Sequence, residues 1–185
     1  MNFKNHSHGF GLISITLHWL MALLIIALFT VGLWMVDLSY YDPWYKQAPF
    51  FHKSVGVIVA MLYISRVTWR MINPPPPPIA SIPRTELLLA KAMHLTLYIM
   101  MLGVFTSGYM ISTADGRPIE VFNLFSIPAF VTPIENQEDI AGTFHYYLAC
   151  SLIGLASLHA IAALKHHFYD KDKTLRRMTS PNLKE

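Results

Sequence analysis

Long apolar runs, separated by short polar segments, dominate the pattern of the chain. Three of them contain no Asp, Glu, Lys or Arg over lengths that suit a hydrocarbon core, which takes about 20 apolar residues in a helix: 10–36, 92–114 and 140–164. A further run, 50–72, is free of charge only from Ser54 to Ser65, but its Lys and Arg side chains can extend to the membrane surfaces. The pattern therefore predicts four transmembrane helices, at about 10–36, 50–72, 90–114 and 140–166.

The predicted fold is all-α, an integral membrane four-helix bundle that forms a single membrane domain over residues 1–185. The connection 73–89 contains five consecutive prolines, Pro74 to Pro78. They favour a stiff polyproline II spacer over a ligand for a proline-recognition module, because the loop is short and lies beside the membrane. The connection 115–139 is long and acidic and is expected to form a cap, and the tail 167–185 is polar and basic.

Composition and charge place this bundle in a bilayer with a defined orientation. Of the 185 residues, 54% are hydrophobic and 14% are charged, and the mean hydropathy is +0.39. Lys and Arg number eleven on the side of the two termini and three on the other side, which predicts cytoplasmic termini. The first apolar run is too long for a cleaved signal peptide. We therefore expect a multi-pass protein of a bacterial inner membrane, with the lipid bilayer as its surroundings and no nucleic-acid partner.

Four histidines lie within or at the ends of the predicted helices: His18, His52, His145 and His159. A polar ring in a membrane is costly unless it pairs or coordinates, so each is a candidate functional residue. His145 and His159 are fourteen residues apart, which places them on one face of the fourth helix, about 21 Å apart along its axis. The first helix carries His18 at the depth of His159, and the second carries His52 at the depth of His145.

Pairing by depth is the arrangement that two bis-histidine b-type haems require, with the axial pairs His18/His159 and His52/His145. Isolated histidines satisfied by neighbouring polar groups, in a transporter or a structural span, are one alternative. Zinc is another, but a closed zinc site needs four ligands at one point, and the fourth helix separates its two histidines by most of the membrane. Cys150 is the only cysteine and no C-x-x-C-H motif occurs, so coordination alone would hold the haems.

Other polar residues near the helix ends are candidates for supporting roles. Arg66 and Arg70, near the inner end of the second helix, could contact haem propionates or lipid phosphates. Lys53, near the outer end, could hold a propionate, attract an anionic substrate or simply mark the membrane boundary. His94 lies at the depth of the inner pair and is interpreted as a neighbour of that haem, a proton-handling residue or an interfacial histidine. His166 follows the fourth helix, where it could face lipid phosphates.

Several segments resemble those of a known family: Leu17-His18-Trp19-Leu20, His52-Lys53-Ser54-Val55-Gly56, Leu158-His159-Ala160, Lys165-His166-His167-Phe168 and the closing stretch 170–178. Together with His145, they resemble the prokaryotic cytochrome b561 family of four-helix diheme membrane proteins over nearly the whole chain. The resemblance implies two haem b groups held by the same histidine pairs, and electron exchange with the ubiquinone pool. In some members it also implies oxidation of superoxide at the outer face and reduction of quinone at the inner face.

Two functions compete on this basis. The first is an oxidoreductase that passes single electrons between an outer-face donor, such as superoxide, and ubiquinone. The second is a relay subunit that docks to a separate periplasmic redox partner through the acidic outer loop and has no substrate chemistry of its own. Quinone reduction needs protons as well as electrons, so we place a candidate quinone pocket at the inner end, where titratable groups cluster: His94, Arg66, Arg70 and His166. No catalytic residue is assigned.

Overall fold

A computed structural model describes residues 2–132 and 134–181. Within them, four helices are long and apolar enough to cross a membrane. These are α1 (Leu12–Met35), α2 (Gln47–Ile72), α3 (Arg84–Ser112) and α4 (Gln137–Phe168). A hairpin of β1 (Ile119–Val121) and β2 (Phe125–Ile127) lies between α3 and α4, and the short α5 (Thr174–Arg177) follows α4. The protein is a mostly helical four-helix bundle, as the apolar pattern predicts.

The helix ends follow from local backbone chemistry. α2 ends at Ile72 because Asn73 precedes the proline run, and a residue before proline disfavours the helical conformation. α3 begins at Arg84, directly after Pro83, rather than at about residue 90. The expected start rested on the charge-free stretch alone, whereas a charged first turn can lie outside the hydrocarbon and still be helical. α4 has acidic residues in its first turn and basic residues in its last, which suits the helix dipole.

The surface of the helices is apolar on the outside. Large hydrophobic side chains such as Leu23 and Ile26 are 66% and 57% exposed. In water such a surface would be a liability, but in a bilayer the hydrocarbon is the solvent, and the backbone groups are satisfied within each helix. The distribution of burial therefore agrees with a membrane-spanning protein.

The described residues fall into two compact units, and each of the four long helices contributes one part to each. The termini unit contains residues 2–22, 62–97 and 154–181, and the hairpin unit contains residues 23–61 and 98–153 apart from residue 133. His18, His94 and His159 belong to the termini unit, while His52 and His145 belong to the hairpin unit. The histidine pairs expected from depth thus lie within separate units.

In the hairpin unit, the two strands are attached to the start of α2. The strands pair antiparallel, with Val121 opposite Phe125. The backbone N–H of Phe122 donates to Ser54 Oγ at 3.1 Å, and Ser54 Oγ donates to the carbonyl oxygen of Glu120 at 3.4 Å. Ser54 is fully buried. The hairpin is therefore held two residues from His52, within the connection that was expected to form a cap.

In the termini unit, α5 holds three segments together. The Arg177 guanidinium donates to the carbonyl oxygen of Pro77 in the proline run at 2.8 Å. The Trp19 indole donates to the carbonyl oxygen of Met178 at 2.7 Å, and the Phe10 backbone N–H donates to the carbonyl oxygen of Arg177 at 3.3 Å. The tail is therefore tied both to the proline run and to the start of α1.

Candidate functional site

The hairpin unit brings His52 of α2 and His145 of α4 face to face. Their ring centres are 6.3 Å apart and their planes are inclined at 76°. A ring nitrogen lies about 1.1 Å from the ring centre, given bonds of about 1.33 Å. Two metal–nitrogen bonds of about 2 Å would therefore place the centres about 6.3 Å apart. The observed spacing is the one that a single iron between two imidazoles requires.

A glycine on a neighbouring helix lies close to each of these rings. A Cβ placed on Gly32 of α1 would lie 3.2 Å from Cε1 of His52, and a Cβ placed on Gly108 of α3 would lie 3.2 Å from Cε1 of His145. Both distances are shorter than the usual contact of about 3.5 to 4.0 Å between carbon atoms. Each ring is consequently seated against a neighbouring helix at a position where a larger residue would displace it.

Two other glycines leave room beside the pair. Gly56 follows His52 by one helical turn and Gly142 precedes His145 by three residues, so each shares a helical face with its histidine. A Cβ at either glycine would meet nothing within 4 Å. The faces that carry the two histidines therefore have free space next to the rings, as a planar macrocycle between them needs.

The contacts of His145 define its tautomer. Its Nδ1 lies 3.1 Å from the carbonyl oxygen of Val104 and 3.1 Å from Ser107 Oγ, both on α3. A carbonyl oxygen can only accept a hydrogen bond, so Nδ1 carries the proton and donates. The lone pair is then on Nε2, which is the state that a neutral imidazole needs to bind a metal.

The termini unit holds the second pair and a third histidine. The ring centres of His18 and His159 are 6.3 Å apart, with planes inclined at 83°. The ring of His94 lies 5.2 Å from that of His159. This separation is about 1 Å too short for an iron bound to both nitrogens. The geometry therefore fits a metal between His18 and His159 and does not fit one between His94 and His159.

Cationic side chains differ between the two sites. In the termini unit, Arg66 is close enough for its charge to act on the rings of His18, His94 and His159. The charge of Arg70 also acts on His94. Positive charge at this position complements the carboxylates of haem propionates. In the hairpin unit, Lys53 is an exposed residue next to His52.

His166 lies in a polar network at the end of α4. Its Nδ1 is 2.7 Å from Asp172 and 3.1 Å from Asp170, and its Nε2 is 3.7 Å from Glu86. Lys165 Nζ bridges Glu86 and Asp170 at 3.1 and 2.8 Å. Ligand atoms of Glu86, His166 and Asp170 lie within 4.8 Å of one another, but the lysine already occupies both carboxylates. The arrangement is therefore that of an ion-pair network.

The chain is similar to several known proteins. The family model described as prokaryotic cytochrome b561 matches residues 9–181. The chain is 48% identical over 178 residues to cytochrome b561 homolog 2 of Escherichia coli, covering 96% of this chain and 95% of that protein. It is 32% identical to cytochrome b561 homolog 1 of the same organism over 69% of this chain and 72% of the relative. The probable superoxide oxidase CybB of Yersinia pestis is 29% identical over 91% of this chain and 94% of its own length.

The chain belongs to the prokaryotic cytochrome b561 family. It is therefore a bacterial multi-pass membrane cytochrome, with haem b as the cofactor that the family implies. The histidine pairs fit that group on three counts: the ring spacing, the glycines that back the rings of His52 and His145, and the proton on Nδ1 of His145.

Two features of the cytochrome b561 fold in this chain were not found from the sequence. The hairpin has strands of only three residues each, and these are too short to show an alternating pattern. Ser107 is the second, because a single serine within an apolar helix belongs to no motif. The small residues Gly103, Ser107 and Gly108 on α3 were a usable signal, since such residues let a neighbouring helix approach closely.

Proposed function

We propose that the protein is a diheme b-type cytochrome of the bacterial inner membrane that moves single electrons between a donor at the hairpin side and ubiquinone at the termini side. In this proposal, His52 and His145 bind one haem iron, and His18 and His159 bind the other. The observation that carries it is the recurrence of one spacing: a histidine pair in each unit has ring centres 6.3 Å apart. A bound haem b supplies one-electron chemistry through its iron.

The chain's own residues hold the cofactors and set their surroundings. The paired imidazoles fix each haem from both faces and leave no open iron position, which favours electron transfer over oxygen binding. Arg66 and Arg70 neutralise propionates in the termini unit. The apolar helices exclude water from both sites. The excess of Lys and Arg on the side of the termini, eleven against three, supports a cytoplasmic position for the termini unit and a periplasmic one for the hairpin.

The identity of the donor separates an enzyme from a relay subunit. The relative from Yersinia pestis is named a probable superoxide oxidase, which supports a small anionic donor. Charge works against steering of such a donor, since the connection 115–139 sums to −4 and Arg117 pairs with Asp115 at 3.2 Å. Lys53, the cation nearest to His52 along the chain, is then the residue that could attract an anionic donor. An acidic surface of this kind would suit a basic periplasmic redox protein, which is the second candidate function.

The decisive experiment starts from a haem count on purified protein. We expect two non-covalent haems per chain and a low-spin ferrous spectrum, and fewer than one haem after expression with ample haem supply would refute the proposal. Stopped-flow mixing with superoxide or with a short-chain ubiquinol then tests the function. Rapid haem reduction by either reagent alone supports the oxidoreductase. Reduction that occurs only after a periplasmic fraction is added supports the relay subunit.

We place the quinone near the termini unit, among His94, Arg66, Arg70 and His166. The network around His166 supports this location because its carboxylates and imidazole can pass protons from the cytoplasm. A competing location is a cavity of about 500 Å³ between α3 and α4 in the hairpin unit, whose lining is apolar and includes Gly103 and Leu148. Its volume is within the range of small-molecule sites.

A pair of adjacent substitutions distinguishes the two quinone locations. His166→Ala removes the centre of the network, whereas His167→Ala changes a neighbour whose ring contacts Phe168. After two haems are confirmed in each variant, pre-reduced protein is mixed with short-chain ubiquinone and haem reoxidation is timed. We expect slower reoxidation in His166→Ala alone. Equal rates in wild type and both variants would exclude a role for His166 and favour the cavity between α3 and α4.

A further inference from the structure

Helix α3 contributes neither member of the proposed haem pairs, yet it makes the closest polar contacts of one of them. Ser107 Oγ lies 3.1 Å from Nδ1 of His145, and its own hydroxyl has the carbonyl oxygens of Gly103 and Val104 at 2.8 and 3.0 Å. Ser107 is 6% exposed. Because Nδ1 of His145 carries a proton, the serine oxygen accepts from the ring and donates to the α3 backbone. Ser107 thus continues a hydrogen-bond chain from His145 into the helix.

The opposite histidine lacks any such support. Nδ1 of His52 is buried and has no hydrogen-bond partner within the described residues. Neither ring of the pair in the termini unit donates from Nδ1 to a described residue either, so His145 is distinct among the four. An imidazole that donates its second N–H is a more basic ligand, and loss of such a partner typically weakens metal binding about 10- to 100-fold.

We propose that Ser107 is a positioning residue that lowers the reduction potential of the haem in the hairpin unit, through its hydrogen bond with His145. This inference rests on the proposed function, because it requires a haem between His52 and His145. A more basic imidazole stabilises ferric iron more than ferrous iron, since the ferric ion has the higher charge. A lowered potential at the hairpin-unit haem makes the step from it to the second haem more favourable, and the step from the outer donor onto it less favourable by the same amount.

The test is an equilibrium redox titration of purified Ser107→Ala, Ser107→Thr and Thr106→Val proteins beside the wild type. The midpoint of the hairpin-unit haem is identified as the transition that His52→Ala removes. Ser107→Ala leaves Val104 as the sole acceptor of the His145 proton. We expect about a tenfold loss of preference for the ferric state, which corresponds to a rise of about 59 mV for a one-electron couple.

The other two variants separate positioning from packing. Ser107→Thr retains the hydroxyl and should restore the wild-type midpoint. Thr106 donates to the carbonyl oxygen of Leu102 at 2.9 Å, the same kind of bond one residue away, so Thr106→Val should leave the midpoint unchanged. An unchanged midpoint in Ser107→Ala, or equal shifts in Ser107→Ala and Thr106→Val, would overturn the inference while leaving the diheme proposal intact.

A milder substitution keeps the test possible if Ser107→Ala loses the hairpin-unit haem. If Ser107→Ala fails to retain the hairpin-unit haem, Ser107→Cys replaces it, because a thiol is a weaker acceptor that still fills the position. Its midpoint should rise in the same direction, and an unchanged midpoint would overturn the inference. A wild-type protein without two haems is a different outcome, since it would remove the proposed function itself.

Discussion

Replacing Gly108 by alanine places a methyl group against the ring of His145. The new Cβ would lie 3.2 Å from Cε1 and 3.4 Å from Nδ1 of that ring, whereas carbon contacts favour about 3.5 to 4.0 Å. Relief requires a shift of about 0.3 to 0.5 Å, and metal–ligand distances tolerate about 0.2 Å. A haem iron bound to Nε2 would fix that end of the ring, so the ring could not shift by this amount without distorting its metal–ligand bond.

The cost of such overpacking is typically about 1 to 3 kcal/mol, which corresponds to about a 5- to 150-fold loss of affinity. Haem-free protein would be titrated with hemin, and the change in haem absorbance would give the affinity of each site. Gly154→Ala is the matched control, because a Cβ there meets nothing within 4 Å and the residue belongs to the termini unit. We expect Gly108→Ala to weaken the hairpin-unit haem alone and Gly154→Ala to bind as wild type. Equal affinities in the two variants would show that His145 is not clamped between α3 and an iron.

Three other predictions concern the ligands and the tail. His52→Ala should lose the hairpin-unit haem and His159→Ala the other, each leaving about one haem per chain by pyridine haemochrome assay. His94→Ala should keep both haems, because the ring of His94 lies 5.2 Å from that of His159, too close for one iron to bind both. Loss of a haem in this variant would indicate that His94 is a ligand. Ligand planes inclined at 76° and 83° should give strongly anisotropic low-spin ferric signals in electron paramagnetic resonance, and a spectrum typical of parallel planes would contradict the ring geometry. Burial raises the pKa of Asp172, but hydrogen bonds from Thr174 and His166 outweigh it and hold that pKa below 3.8. The stabilising effect of Asp172 is thus fully present above pH 3.8 and lost as pH falls through the lowered pKa. Asp172→Asn should accelerate trypsin cleavage of the tail at neutral pH, and pepsin should cleave the wild-type tail faster as the pH falls below that value.

The helices, and which histidine rings lie near each other, were within reach of sequence reasoning because both depend on simple periodic geometry. Charge-free runs of membrane length predict helices with little ambiguity. Within a bundle of known topology, residue number then converts directly into depth, so His145 and His159 must lie at two levels. That reasoning could match His18 with His159 by depth, whereas the preference for His18 over His94 as the proposed partner needs the ring spacings.

Contacts that depend on exact side-chain direction were out of reach. The small residues of α3 indicate a close approach of a neighbouring helix, but they do not show that Ser107 meets His145 while Thr106 bonds to its own helix. The same holds for His166, whose network depends on a turn with Lys171 at a positive φ of 54°. A non-glycine residue in that conformation is uncommon, and the composition of the tail does not signal it.

The contacts of α5 carry a consequence for biogenesis. Met178 meets Trp19 across 159 residues of sequence, and Arg177 meets Pro77 across 100. Neither contact can form during synthesis until α4 has been inserted and the segment beyond it has left the ribosome. The proline run and α1 therefore lack these contacts with the tail through most of translation.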